Sequence, residues 1–299
     1  MKKQEWRLIH LHYIIGTNRK LIWSVMKKDP ELEQIYRWNK QQWKENFHIN
    51  DRKASFLVER LQYKSLKQKI VGYVKTYFVI TIFSEDYPVS LREIPDPPLV
   101  LYLNGNQSLL SHSPNLSVVG TRYPSKFARS IMANILTPLF KNDFLITSGM
   151  AIGIDGFAHQ LALHHQSPTI AVLGSGFEHI YPKQHISLYS QLVAKNLIIS
   201  EYPPDQPPRK YHFPERNRII SGLSFGTLVI EAKEKSGTLI TVDQALEQGK
   251  EVFAVPGSVL AETSLGCNQL IKDGAKLVQS SRDILEEYQP KQEYQKENK

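Results

Sequence analysis

Leu116-Ser117-Val118-Val119-Gly120-Thr121-Arg122 decides the fold. A short uncharged apolar run ending in glycine reads as a strand buried on both faces, followed by a tight turn. The same unit returns along the chain. Strands are expected at Leu116–Val119, Phe144–Thr147, Thr169–Leu173, Leu197–Ser200, Thr227–Glu231, Glu251–Val255 and Lys276–Val278. Helices are expected near Lys126–Phe140 (with Ser125 as N-cap), Gly153–His164, Lys183–Ala194, Glu215–Gly222, Leu239–Gln248 and Asn268–Asp273. This alternation predicts an α/β fold with a doubly wound, mainly parallel sheet. Right-handed crossovers then bring the strand-to-helix turns to one edge, where ligands of such sheets bind.

Upstream the character differs. Residues 1–72 read as a small basic helical domain, with Leu8, Leu11, Ile14 and Ile15 on one face and Asp29-Pro30 as a helix start. Ile14-Ile15-Gly16-Thr17-Asn18 faintly fits a helix-hairpin-helix turn. Residues 73–115 form an extended, proline-rich connection leading into Leu99–Leu103, expected as an edge strand. The sheet domain covers 116–288, and 289–299 is a polar tail.

Charge follows the same division. Residues 1–75 hold 17 Lys and Arg against 7 Asp and Glu, whereas residues 76–299 hold 20 against 22. The basic excess suits either a polyanion partner or a solvated helical face. Any anion site in the sheet domain must be a local cluster. A single cysteine, Cys267, excludes an intrachain disulfide and a cysteine zinc site. With no apolar run of about 18 residues and no apolar signal core, the expected location is cytoplasmic, away from membranes.

The expected turns share a chemistry: Gly120-Thr121-Arg122, Ser148-Gly149 before Gly153-Ile154-Asp155, Gly174-Ser175-Gly176, Ser236-Gly237-Thr238 and Pro256-Gly257-Ser258. Any one of them is explained by the conformational freedom of glycine. Five on one edge favour anion binding by backbone amides and hydroxyls. Sharper motifs are missing. No P-loop is present, Gly174-Ser175-Gly176 lacks the third glycine of a dinucleotide fingerprint, and no histidine follows Ser224 as a serine hydrolase would need. Asp155 and His159, four apart on a helix, fit a helix-dipole carboxylate and a packed histidine better than a metal or acid–base pair. No cofactor or metal is expected.

The stretch Phe213–Thr241 carries the strongest binding signal. Its start belongs to a basic and aromatic cluster, Arg209, Lys210, Tyr211, His212, Phe213, Arg216, Asn217 and Arg218, which follows a stiff proline-rich loop. Interleaved rings and cations suit single-stranded nucleic acid, where bases stack and phosphates pair. Alternatively, Arg216 and Arg218 pair internally with Glu231, Glu234 or Asp155. In this reading the stretch forms one wall of a pocket with Gly120–Arg122, Ser148–Gly153 and Gly174–Gly176.

Seven separated motifs resemble one family. They are Val119–Arg122, Ser148–His159, Thr169–Gly176, Phe213–Ile220, Ser236–Thr241, Val252–Gly257 and Gly266–Ile271, in order and spacing within residues 77–280. The family is the DNA-processing protein A (Smf) family of bacterial natural transformation. The resemblance implies an extended Rossmann-like domain that binds incoming single-stranded DNA without catalysis, forms a homodimer and helps load a RecA-type recombinase. It implies DNA contacts at Arg122, Lys210 and Phe213; the glycine turns and the basic cluster add Gly120, Thr121, Ser148, Gly149, Gly174, Arg216, Asn217, Arg218, Ser236 and Gly237 as expected contacts. The helical start resembles the family's sterile-alpha-motif-like domain. Ser167-Pro168 replaces an expected basic position, Gln206 a usual glycine and His185 a usual asparagine. Two other classes compete: a nucleotide phosphoribohydrolase using Gly226-Thr227 and Glu231, and an interaction scaffold built on the basic helices. The Pro-Gly-Gly-x-Gly-Thr run of the former is missing.

Overall fold

The computed structural model describes residues 1–288; the expected tail, 289–299, lies outside the described residues. Its N-terminal helices are α1 (Lys3–Ile15), α2 (Arg19–Lys28), α3 (Lys40–Phe47), α4 (Asp51–Gln62) and α5 (Lys64–Thr76). Then come β1 (Phe78–Thr81), α6 (Val89–Arg92), β2 (Val100–Gly105), β3 (Asn115–Val119), α7 (Ala128–Lys141), β4 (Leu145–Ser148), α8 (Ile154–His164) and β5 (Thr169–Leu173). They are followed by α9 (Ile186–Lys195), β6 (Leu197–Ser200), α10 (His212–Leu223), β7 (Gly226–Val229) and α11 (Gly237–Glu247). The described chain closes with β8 (Glu251–Ala254), α12 (Glu262–Lys272), β9 (Lys276–Leu277) and α13 (Ser281–Leu285). The expected α/β class, with a mainly parallel sheet behind N-terminal helices, is what the chain forms.

Two compact units are built from interleaved segments, residues 1–110 with 172–219 and residues 111–171 with the described residues from 220 onward. In the second unit the strands run β5-β4-β3-β7-β8-β9, all parallel. From β3 the chain winds outward through β4 and β5, then returns to the other side of β3 for β7 and β8. Neighbours β3 and β7 therefore flank a topological switch point, the place where open α/β sheets leave a crevice for ligands. Leu116, Val118, Ile146, Leu228 and Phe253 pack with α7 and α8 residues such as Met132, Leu136, Ile154 and Ala158 in one buried cluster.

In the first unit, β1, β2 and β6 pair antiparallel in that order. Leu99–Leu103 was expected at an edge, yet β2 is flanked on both sides and β1 takes the edge. The residue burial explains it: Val100 to Leu103 are at most 1% exposed, whereas Phe78 of β1 is 40% exposed. Asp29-Pro30 does not start a helix. Asp29 caps the C-terminus of α2, its N–H donating to Val25 O at 2.8 Å, and its carboxylate accepts from Ile35 N at 3.0 Å to close the turn that follows. The Ile14–Asn18 stretch is the α1–α2 turn, with Gly16 at φ 73° and Asn18 capping α2 through Leu21 N at 3.2 Å.

Three helix bounds moved for physical reasons. Phe127, not Ser125, is the N-cap of α7; Ser125 is engaged elsewhere. The helix expected from Glu215 begins at His212, because Pro214 loses nothing in a first turn where N–H groups have no partner anyway. Consequently Arg216, Asn217 and Arg218 lie beyond its first turn. The helix α12 starts six residues before Asn268 and runs through Gly266, whose absent Cβ would meet Ala232 O and Lys233 O at 2.7 Å.

The first unit also buries His10, His12 and His212. His12 is fully buried with neither ring nitrogen hydrogen-bonded, and its pKa falls from 6.5 to about 4. Burial dominates that shift; Glu201 opposes it, and Arg19 and Arg218 add to it. Because the folded value lies below the unfolded one, the unfolded chain binds the extra proton between these values. Stability is unaffected above the ordinary pKa and falls as pH drops through the window. Thermal melts at pH 7 and pH 5 should show His12→Met losing less stability on acidification than the parent.

Candidate nucleic-acid interface

At the switch point of the second unit, the turn leaving β3 carries Gly120, Thr121 and Arg122. It is built by close backbone approach. A Cβ on Gly120 would meet Ile154 Cγ1 at 2.6 Å and Glu231 O at 3.0 Å. Gly153, at φ 86°, sits where a Cβ would lie 2.4 Å from Thr121 O, so only glycine fits both the conformation and the space. Thr121 N donates to Glu231 O at 2.8 Å, and Thr121 O accepts from Ile154 N at 3.2 Å. The Glu231 side chain, 6% exposed, then holds the far side of the loop. One oxygen accepts from Ser125 N at 2.8 Å and the other from Ser125 Oγ at 2.5 Å. Between these fixings Arg122 is exposed.

The neighbouring turns share the tight architecture. Ser148 is buried and donates to Val118 O at 2.6 Å, while Gly149 N donates to Asp155 Oδ2 at 3.1 Å. Asp155 thus holds a turn, and His159 Nδ1 lies 2.8 Å from Thr169 Oγ1. Asp155 stands in the first turn of α8 and His159 is fully buried. Ser236 and exposed Gly237 follow β7 and open α11, with Ser236 as N-cap. Among the described residues no group of three His, Cys, Asp or Glu side chains is placed to hold a metal ion.

In the first unit the Phe213 ring lies on Gly174, where a Cβ would come within 2.9 Å of it. The Tyr181 ring stands 5.4 Å from Phe213 at 50°. His212 stacks on Tyr202 at 3.9 Å and its Nδ1 donates to Gly174 O at 3.1 Å. Burial keeps the His212 pKa below its ordinary value, opposed by that hydrogen bond and by Glu215. Lys210 is exposed just before this aromatic group. Gln206 sits outside the left-handed region, and its carbonyl accepts from Gly176 N at 2.8 Å. The side chain in place of a glycine is therefore accommodated without strain.

Arg216 and Arg218 are 4% and 5% exposed. Arg216 Nη1 donates to Val172 O, and Arg216 Nε to Asn217 Oδ1 at 3.2 Å. Arg218 Nη2 reaches both oxygens of Glu201 at 2.8 and 2.9 Å, its Nη1 reaches Glu215 O at 2.7 Å and its Nε reaches Asp96 O at 2.8 Å. Arg19 joins from α2, its Nη2 2.7 Å from Asp96 and its Nη1 3.3 Å from Glu201. Burial alone would raise the Glu201 carboxyl, but Arg218 and Arg19 outweigh it and hold it below the usual range. The partners expected for Arg218 were Glu231, Glu234 or Asp155; those observed are Glu201 and Asp96. The available signal was a charged Glu201 directly after the apolar strand Leu197–Ser200. A second missed feature is Tyr181 beside Phe213, which nothing in its local sequence marked.

The family described as DNA recombination-mediator protein A matches residues 78–289. The chain belongs to this family. It is 45% identical to the DNA processing protein DprA of Bacillus subtilis over 208 residues, covering 70% of each chain. It is also 45% identical to the DprA of Streptococcus pneumoniae over 209 residues, covering 70% of this chain and 73% of that one. The solved structure of the S. pneumoniae protein superposes with a TM-score of 0.85 at 36% identity, over 97% of this chain and all (100%) of that one. A Helicobacter pylori DNA processing protein A, described for its single-stranded DNA binding mode, gives a TM-score of 0.64 at 28% identity over 71% of this chain and 98% of that one. The expected family is thus shown. No helix among the described residues is long and apolar enough to cross a membrane.

Within this DprA-type chain, exposed and buried cations should respond oppositely to truncation. Glu201→Ala removes the buried carboxylate that Arg218 and Arg19 share, leaves them Asp96 alone, and should cost about 3 kcal/mol in denaturant unfolding. Lys210→Ala, at an exposed position, should stay within about 0.5 kcal/mol of the parent.

Proposed function

We propose that this chain binds single-stranded DNA without catalysing a reaction on it, and helps load a RecA-type recombinase onto the strand as a cytoplasmic homodimer. The observation that carries the reading is the Arg122 turn, an exposed cation held rigidly at the sheet's topological switch point, in a family with a member described for single-stranded DNA binding. A turn fixed before the ligand arrives loses little entropy on binding.

Gly120, Thr121, Arg122, Ser148, Gly149, Ser236 and Gly237 contribute turn backbone, hydroxyls and the Arg122 charge. Lys210 pairs with phosphate, and Phe213 with Gly174 behind it offers a face to a base. Asn217, on the same helix as Phe213, adds a polar side chain. Arg216 and Arg218, buried with internal acceptors, hold α10 in place and act on DNA through that helix. The phosphoribohydrolase reading requires Glu231 as a catalytic carboxylate, whereas both of its oxygens already accept from Ser125.

Retention of an oligo-dT strand in gel shifts should weaken steeply with salt, because each phosphate contact releases counterions. Arg122→Ala and Lys210→Ala should each lower affinity and reduce the log–log salt slope by about one unit. No retention at low salt would refute the binding reading, and release of free base from a nucleotide would favour the enzyme. Light scattering should give twice the chain mass. Recombinase filament assembly on strands coated with single-strand-binding protein should be faster with the chain present; unchanged assembly would refute the loading role.

A further inference from the structure

Tyr123 and Phe127 are 83% and 61% exposed, the two most exposed aromatic rings among the described residues. They stand on the loop from Arg122 to α7. Large rings in water cost solvation free energy and return nothing to folding, so a rigidly held pair points to a partner. The loop is rigidly held. Tyr123 N donates to Thr121 Oγ1 at 3.2 Å, Ser125 is clamped at two atoms by buried Glu231, and Phe127 N donates to Ser125 Oγ at 3.2 Å. Charge is interleaved with the rings: Arg122, Lys126 and Arg129 are exposed, and residues 120–130 contain no carboxylate. Lys126 Nζ lies 5.1 Å from the Phe127 ring centre, and Arg129 is braced over Phe157 at 3.6 Å.

We propose that Tyr123 and Phe127 form a base-stacking platform that carries single-stranded DNA onward from the Arg122 turn, with Lys126 and Arg129 facing its phosphates. This inference rests on the binding function proposed above and extends it to residues outside the glycine turns. Alternating rings and cations are what an unpaired strand requires, since every base has a stackable face and every linkage an anion. A second copy of the chain is a poorer occupant. A two-fold contact of this loop with itself would bring like charges together with no carboxylate from the loop to offset them. Glu231 becomes a positioning residue, because its two bonds to Ser125 fix the spacing between the rings.

The test is oligo-dT binding by fluorescence anisotropy, comparing the parent chain with Tyr123→Ala/Phe127→Ala and Tyr123→Trp/Phe127→Trp. Circular dichroism and melting should match the parent, because the rings are exposed. The alanine pair should bind about tenfold or more weakly, with an unchanged salt slope because no phosphate contact is lost. The tryptophan pair should restore affinity. Shortening the strand until it no longer spans the loop should erase the difference between parent and alanine pair. Alanine-pair affinity within about twofold of a parent that does bind would overturn the platform while leaving the proposed function standing. A parent that fails to bind overturns both. Loss of self-association with DNA affinity intact would assign the rings to a copy of the chain and overturn the proposal.

Discussion

The clamp of Glu231 on Ser125 is the interaction on which the arrangement at the switch point depends. A carboxylate just past the end of a central strand is expensive to bury, and here the two donors of one serine offset the cost, while the residue's backbone carbonyl separately holds Thr121. The result is a loop fixed at both ends that faces solvent with a cation and two rings. Gly120 and Gly153 make the clamp possible, since any side chain at either position would push the β3 turn away from Ile154 and Glu231. Rigidity and exposure, normally opposed, coexist because the fixing contacts lie beneath the loop.

Glu201 plays the corresponding part in the first unit with the opposite outcome for its cations. It follows β6, is fully buried, and gathers Arg218 from α10 and Arg19 from α2, with Asp96 as a second carboxylate. Removing one member would leave uncompensated charge in a low-dielectric site, so the network specifies how these segments meet. Cations in the same short stretch thereby divide by environment: Arg216 and Arg218 serve the fold, whereas Lys210 stays in solvent.

Much of this was legible in the sequence. Continuous apolar strands punctuated by glycine turns gave the parallel sheet, and the seven motifs gave the family. What stayed hidden was set by tertiary contact. Val100–Leu103 reads like any short strand, and only its burial on both sides moves it from edge to interior. Gly266 breaks a helical pattern on paper, yet is required by the carbonyls of Ala232 and Lys233. Arg216 and Arg218 look like DNA ligands by composition, because no local pattern shows that Arg216 reaches Val172 O or that Arg218 joins Arg19 on Glu201 and Asp96. Tyr123 and Phe127 escaped notice for the converse reason: an aromatic residue near a helix start is ordinarily core.

Single-stranded DNA is proposed to contact the Arg122 turn and the Lys210–Phe213 segment. Ultraviolet cross-linking of an iodouracil-substituted strand, with adducts mapped by mass spectrometry, tests it most directly. Adducts are expected within residues 120–129 and 209–217. Adducts confined to the basic helices of residues 1–76, or none at concentrations where the strand is bound, would contradict it.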